Sequence, residues 1–220
     1  MRTVIFDLDG TLADTSGDLI AAANACFRDM GAGDLLDPVA DMLTAFHGGR
    51  AMLRLGFSRM GSGDEAKVDA WYPRLLTAYE ADIDRHTQLY PGAVEAVETL
   101  RAAGYATGIC TNKPAGLAEL LVTRLGVRGL FGSLVGADTL PVRKPDAAPY
   151  RLSVEQSGGR VDRSMLIGDT DTDRRTGIAA GVPVALVTFG PAGHGVSEFA
   201  PEALLHDFAS LPALVTSLIG

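Results

Sequence analysis

Basic residues are in short supply: 19 Lys and Arg stand against 27 Asp and Glu, a formal net charge of −8. Such a balance speaks against nucleic acid and anionic membrane as partners. If the substrate is itself an anion, positive charge must be concentrated locally or borrowed from a metal. Cysteine is almost missing. Cys26 and Cys110 lie far apart and make no metal-spaced cluster, so a reducing cytoplasm is the expected setting. No apolar run is long enough to span a membrane, and the chain opens into a strand with acids by position 7, unlike a signal peptide or an anchor. Internal repeats and low-complexity tracts are absent as well. What is present is 47% apolar residues in 220, ample for one large domain or a domain with a sizeable insertion.

The chain is organised around Asp7-Leu8-Asp9-Gly10-Thr11-Leu12. Ahead of it, Thr3-Val4-Ile5-Phe6 reads as a buried strand, so the acidic pair falls where a central strand ends and the chain turns at Gly10. Ligands of open parallel sheets bind at the carboxyl ends of the strands. Two carboxylates converging there repel one another, and a divalent cation is the natural compensation. Taken alone, the pair could equally be a solvated surface turn.

From 15 to 85 no convincing strand appears. Ser16 is suited to cap a helix with apolar positions Leu19, Ile20, Ala23, Phe27 and Met30, and 39–46, 50–60 and 64–83 also read as helices. From Leu89 onward the pattern changes to strands alternating with helices: strands over 105–110, 134–136, 165–168 and 182–188, and a closing helix over 207–219. The expected architecture is a doubly wound parallel α/β sheet formed by 1–14 and 86–220, with a small all-helical cap over 15–85. An insert that departs directly from the acidic turn is expected to form a lid over it.

Polar residues sit just past three of the apolar strands: Asp7 and Asp9, Thr111 and Asn112, and Asp169 with Asp173. Lys144 makes a fourth group. Each singly has an ordinary explanation as a cap, a turn or a solvated cation. Together they give several acids, a cation and a hydroxyl around one cleft, which suits a phosphate site.

In order and spacing these four motifs resemble the haloacid-dehalogenase-like hydrolases, and within them the phosphoglycolate phosphatases. The resemblance implies Asp7 as nucleophile through an aspartyl phosphate and Asp9 as general acid and base. It implies Mg²⁺ held by the carboxylates of Asp7 and Asp169 and the backbone carbonyl of Asp9, with Asp173 orienting metal-bound water. Thr111, Asn112 and Lys144 would bind the phosphoryl group. An acid at Asp9 points to phosphatases or phosphomutases, so a sugar phosphomutase acting on β-glucose 1-phosphate is the alternative. A non-enzymatic phospho-receiver switch is the more distant one, since receivers are shorter and lack a helical insert.

In the insert, His47-Gly48-Gly49-Arg50 places an Arg at the start of a helix, a suitable anchor for the carboxylate of 2-phosphoglycolate. The competing reading is a solvated Arg50 and a turn residue at His47. His86, His194 and His206 show no partners in the sequence. The expected partner is thus a small phosphorylated metabolite, and the expected state a monomer or small homo-oligomer.

Overall fold

The computed structural model describes residues 1–220. In chain order its elements are β1 (Thr3–Phe6), β2 (Ala13–Asp14), α1 (Ser16–Asp29), α2 (Met42–Phe46), α3 (Gly49–Arg59) and α4 (Glu65–Ala81). There follow β3 (Gln88–Leu89), α5 (Ala93–Ala102), β4 (Ala106–Cys110), α6 (Ala115–Arg124), β5 (Ser133–Val135), α7 (Ala147–Gln156) and β6 (Ser164–Gly168). The chain ends with α8 (Asp171–Ala180), β7 (Val184–Val187), β8 (Ala203–Leu205) and α9 (Leu211–Ile219). No helix is long and apolar enough to cross a membrane.

The chain divides into two compact units, Met1–Ala13 with Leu89–Gly220, and Asp14–Gln88. In the first, six strands form one sheet in the order β5-β4-β1-β6-β7-β8. Every pairing is parallel, as the alternation of strands and helices predicts. β1 lies between β4 and β6, and all four of its residues are buried, which is why it reads as an uninterrupted apolar run rather than an alternating one. The chain builds one side of β1 first and then crosses to the other, so the carboxyl ends of β4, β1 and β6 border the point where the winding reverses.

The second unit is entirely helical apart from the paired residues at its two ends, where β2 and β3 form a two-stranded ribbon. Its core gathers Phe27, Met52, Leu53, Phe57, Leu75 and Tyr79, all buried. Phe27 meets Phe57 edge to face at 5.7 Å, and it fits only because Gly56 has no side chain: a Cβ there would overlap the Phe27 ring.

Several details differ from the sequence expectation. The helix expected over 39–46 is only Met42–Phe46, because Asp37 and Asp41 hold the preceding residues in turns of their own. Ser16 is the first residue of α1 rather than its cap. Asp14 accepts hydrogen bonds from both the Ser16 N–H and hydroxyl, and Thr15 takes the cap position. The sixth strand, β8, has no counterpart in the expectation. His206 follows it directly and is not without a partner, as its Nδ1 bonds Thr188 Oγ1 at 2.9 Å and its ring lies 5.7 Å from that of His194.

Candidate active site

Asp7 is the residue after β1, and its N–H still donates to Ile167 of β6 at 2.9 Å. Thr111 continues β4 in the same way, donating to Val135 at 2.9 Å, and Asp169 follows β6. Three adjacent strands therefore end on a polar group at one edge of the sheet. Gly10, at φ 79°, turns the chain away immediately past Asp9.

The carboxylates do converge. Oxygen atoms of Asp7, Asp169 and Asp173 all lie within 4.8 Å of one another. Asp173 reaches the cluster from the first turn of α8, where it forms a capping box with Thr170. Gly168 permits this approach, since a Cβ there would overlap the Asp173 side chain. Lys144 is 3% exposed and threads between the acids, 2.6 Å from Asp173 Oδ1 and 3.1 Å from Asp7 Oδ1. Asp173 Oδ2 in turn accepts the N–H of Asp169, the N–H of Thr170 and the Thr170 hydroxyl. The Asp173 carboxylate thus has four protein donors. Through them it ties Lys144 to the Asp169 loop.

Asn112 is exposed and its amide donates to the Lys144 carbonyl at 3.0 Å, tying the turn after β4 to the Lys144 loop. The Thr111 hydroxyl is buried and accepts from the Lys113 N–H at 3.1 Å. Lys113 itself had no sequence signal. It is 7% exposed, and its Nζ donates to Asp9 Oδ1 at 2.7 Å. A lone lysine between Asn112 and Pro114 looks like any other, and its acidic partner lies far back in the chain.

In the helical unit His47 is exposed ahead of α3. Arg50, in the first turn of that helix, is ion-paired with Asp69 and lies over the Tyr72 ring at 4.4 Å. Its charge is thus shared within the unit.

Electrostatics show what the strand-end site lacks. Burial pushes the Asp7 carboxyl up to about 6; Lys144 opposes this, while Asp173 and Asp9 add to it. Burial, then Asp173 and Asp7, hold Asp169 well above the usual carboxylate range. Burial disfavours the Lys144 ammonium, but Asp173 and Asp7 outweigh it and keep that lysine charged. Four carboxylates and two ammonium groups leave an excess of two negative charges when all are ionised. Asp169 Oδ1 accepts the Thr11 hydroxyl at 2.9 Å, yet Oδ2 is buried with no hydrogen-bond partner. A buried carboxylate oxygen without a donor costs stability unless a cation meets it. All-oxygen ligands and a deficit of two positive charges fit a hard divalent cation.

A parallel α/β sheet here gathers three carboxylates and a buried lysine at the carboxyl ends of its strands, an arrangement suited to a phosphoryl-like anion. The comparisons specify it further. The family profile of the haloacid dehalogenase-like hydrolases matches residues 4–187, and the chain belongs to that family. A phosphoglycolate phosphatase of Agrobacterium fabrum is 38% identical over 221 residues, covering 98% of this chain and 93% of the relative. Another, from Mesorhizobium japonicum, is 36% identical over 211 residues, 94% of this chain and 92% of the relative. Among solved structures, one described as a predicted phosphoglycolate phosphatase from Haemophilus somnus superposes with a TM-score of 0.85 at 24% identity, covering 97% of each chain. One assigned as a β-phosphoglucomutase from Thermotoga maritima gives 0.77 at 20% identity, covering 99% of this chain and 100% of the other. At these identities the structures speak for the fold alone.

Proposed function

We propose that this chain is a Mg²⁺-dependent phosphatase that hydrolyses a small phosphate monoester, 2-phosphoglycolate first, by way of a phosphorylated Asp7. The observation that carries this reading is Asp7 at the end of the central strand, 3.1 Å from the buried Lys144 and beside the unpartnered Asp169 oxygen. The choice of substrate is supported by relatives named phosphoglycolate phosphatase that this chain matches over nearly their whole length.

In the first step an Asp7 oxygen attacks phosphorus, the bond to the leaving oxygen breaks, and Asp9 gives that oxygen a proton. In the second, water attacks the same phosphorus, Asp9 takes a proton from it, and the Asp7–phosphorus bond breaks. With its carboxyl near 6 rather than far higher, Asp7 is largely ionised at neutral pH, and Lys144 supports that form. Lys144 and the Thr111 hydroxyl meet the charge on the transferring group. Mg²⁺, held by the carboxylates of Asp7 and Asp169 and the backbone carbonyl of Asp9, would supply Lewis-acid neutralisation of the phosphoryl oxygens.

The test is phosphate release from 2-phosphoglycolate beside a panel of small phosphate esters, with Mg²⁺ and with chelator, for the wild type and Asp7→Asn. Expected are a Mg²⁺-dependent preference for 2-phosphoglycolate and no turnover by Asp7→Asn. Release spread evenly over the panel would remove the substrate. Isomerisation of β-glucose 1-phosphate without phosphate release would replace the phosphatase by a mutase, and normal turnover by Asp7→Asn would overturn the nucleophile.

A further inference from the structure

We propose that Lys113 is a positioning residue that aims the Asp9 carboxylate at the leaving group, an assignment that rests on the phosphoryl-transfer reading above. The two lysines of the site divide its acids between them: Lys144 takes Asp7 and Asp173, and Lys113 takes Asp9 at 2.7 Å. Lys113 is unlike a surface lysine in two respects. Its side chain is 4% exposed, against 19% for Asp9, so the ammonium is withdrawn from water and directed by its partner. Its backbone is also fixed on both sides. The Lys113 N–H donates to Thr111 Oγ1 at 3.1 Å, and its carbonyl accepts the Ala137 N–H at 2.9 Å, just past β5.

A rigid base carrying a buried ammonium gives Asp9 a set orientation. Acid catalysis depends on such placement: proton transfer in the transition state contributes about 10²–10⁴-fold, and only from a group within hydrogen-bond reach. Lys113 also supplies one of the two positive charges in a cluster that is otherwise strongly acidic. Because its bond to Oδ1 is what aims Asp9, removing it should impair proton delivery first.

Leaving-group dependence reads this directly. An alkyl ester such as 2-phosphoglycolate must receive a proton as its bond to phosphorus breaks, whereas p-nitrophenolate departs without one. Because kcat/KM reports the steps up to first release of the leaving group, the two esters isolate the donor. Lys113→Met should lose on the order of 100-fold in kcat/KM for 2-phosphoglycolate and less than about fivefold for p-nitrophenyl phosphate. The loss should fall in kcat, and Lys113→Arg should recover much of it. In an Asp9→Asn background, Lys113→Met should add nothing further.

Equal losses on both esters, a loss confined to KM, or an undiminished Lys113→Met would each overturn the assignment, the second by making Lys113 a substrate ligand. Should Lys113→Met fail to fold, Lys113→Gln is read by the same ratio. If the wild type releases phosphate from neither ester, it is the phosphatase reading that fails.

Discussion

Asp18, near the start of α1, holds Thr87, which lies just before β3, by two bonds to one oxygen: Oδ2 accepts the Thr87 N–H at 2.9 Å and the Thr87 hydroxyl at 2.8 Å. Both carboxylate oxygens also accept the His86 N–H, at 2.9 and 3.0 Å. The carboxylate is 2% exposed and Thr87 7%, so little water could replace these bonds. Gly17 lets the segments approach, since a Cβ there would come 2.9 Å from His86 Cβ. The helical unit is thus closed on itself at its base.

Asp18→Ala should therefore lose roughly 3 kcal/mol of stability, because it strands the N–H groups of His86 and Thr87 and leaves the Thr87 hydroxyl only its 3.3 Å bond to the Ile83 carbonyl. Asp18→Asn keeps one acceptor oxygen and should lose less. Urea unfolding of both variants measures this. A change within about 0.5 kcal/mol for the alanine, the range of ordinary surface substitutions, would mean that the clasp carries no weight.

Asp41 and Arg59 give the helical unit an acid-sensitive joint. Arg59 donates to both oxygens of the buried Asp41, at 2.6 and 2.7 Å, and with the Asp37 N–H holds that carboxyl below its ordinary value of 3.8. The folded value is depressed, so the stabilisation is fully present above 3.8 and is lost as pH falls through the folded value. Wild type should exceed Asp41→Asn in melting temperature at neutral pH, and the gap should narrow as the solution is acidified below about 4. A gap constant from pH 7 down to 3 would refute the linkage.

Gly168→Ala should disturb the site without replacing a charged group. The added methyl would overlap Asp173, which could no longer reach both Lys144 and the Asp169 loop. Displacements of about 1 Å at a reacting centre cost on the order of 100-fold in rate, and phosphate release should fall by that much. Steady-state kinetics beside a thermal melt checks it, and activity within threefold of wild type would show that the close approach is dispensable.

The parallel sheet was legible because its inner strands are buried on both faces. Thr3-Val4-Ile5-Phe6 and Met165-Leu166-Ile167 are solid apolar runs, and each ends abruptly at an acid. The same contrast between apolar run and polar stop marked Asp7, Thr111 and Asp169 as candidates. β8 escaped because three residues, Ala203-Leu204-Leu205, are too few to show a period, and Pro201 just ahead of them reads as loop. Lys113 escaped for a different reason. An ion pair between residues distant in sequence leaves no local pattern, and only the sheet order, which sets β4 beside β1, brings Lys113 to Asp9.

The capping box of α8 ties a folding event to a chemical one. Thr170 and Asp173 satisfy each other as the first turn of that helix winds up, and the same Asp173 oxygens receive Lys144 and the backbone of Asp169. The first turn of α8 and the charged cluster therefore share one set of hydrogen bonds. A lesion anywhere that frays this first turn will register as lost turnover before it registers as lost structure. Conversely, a cation held at Asp169 as proposed would stiffen the helix start, so amide exchange at 169–173 should slow when Mg²⁺ is added.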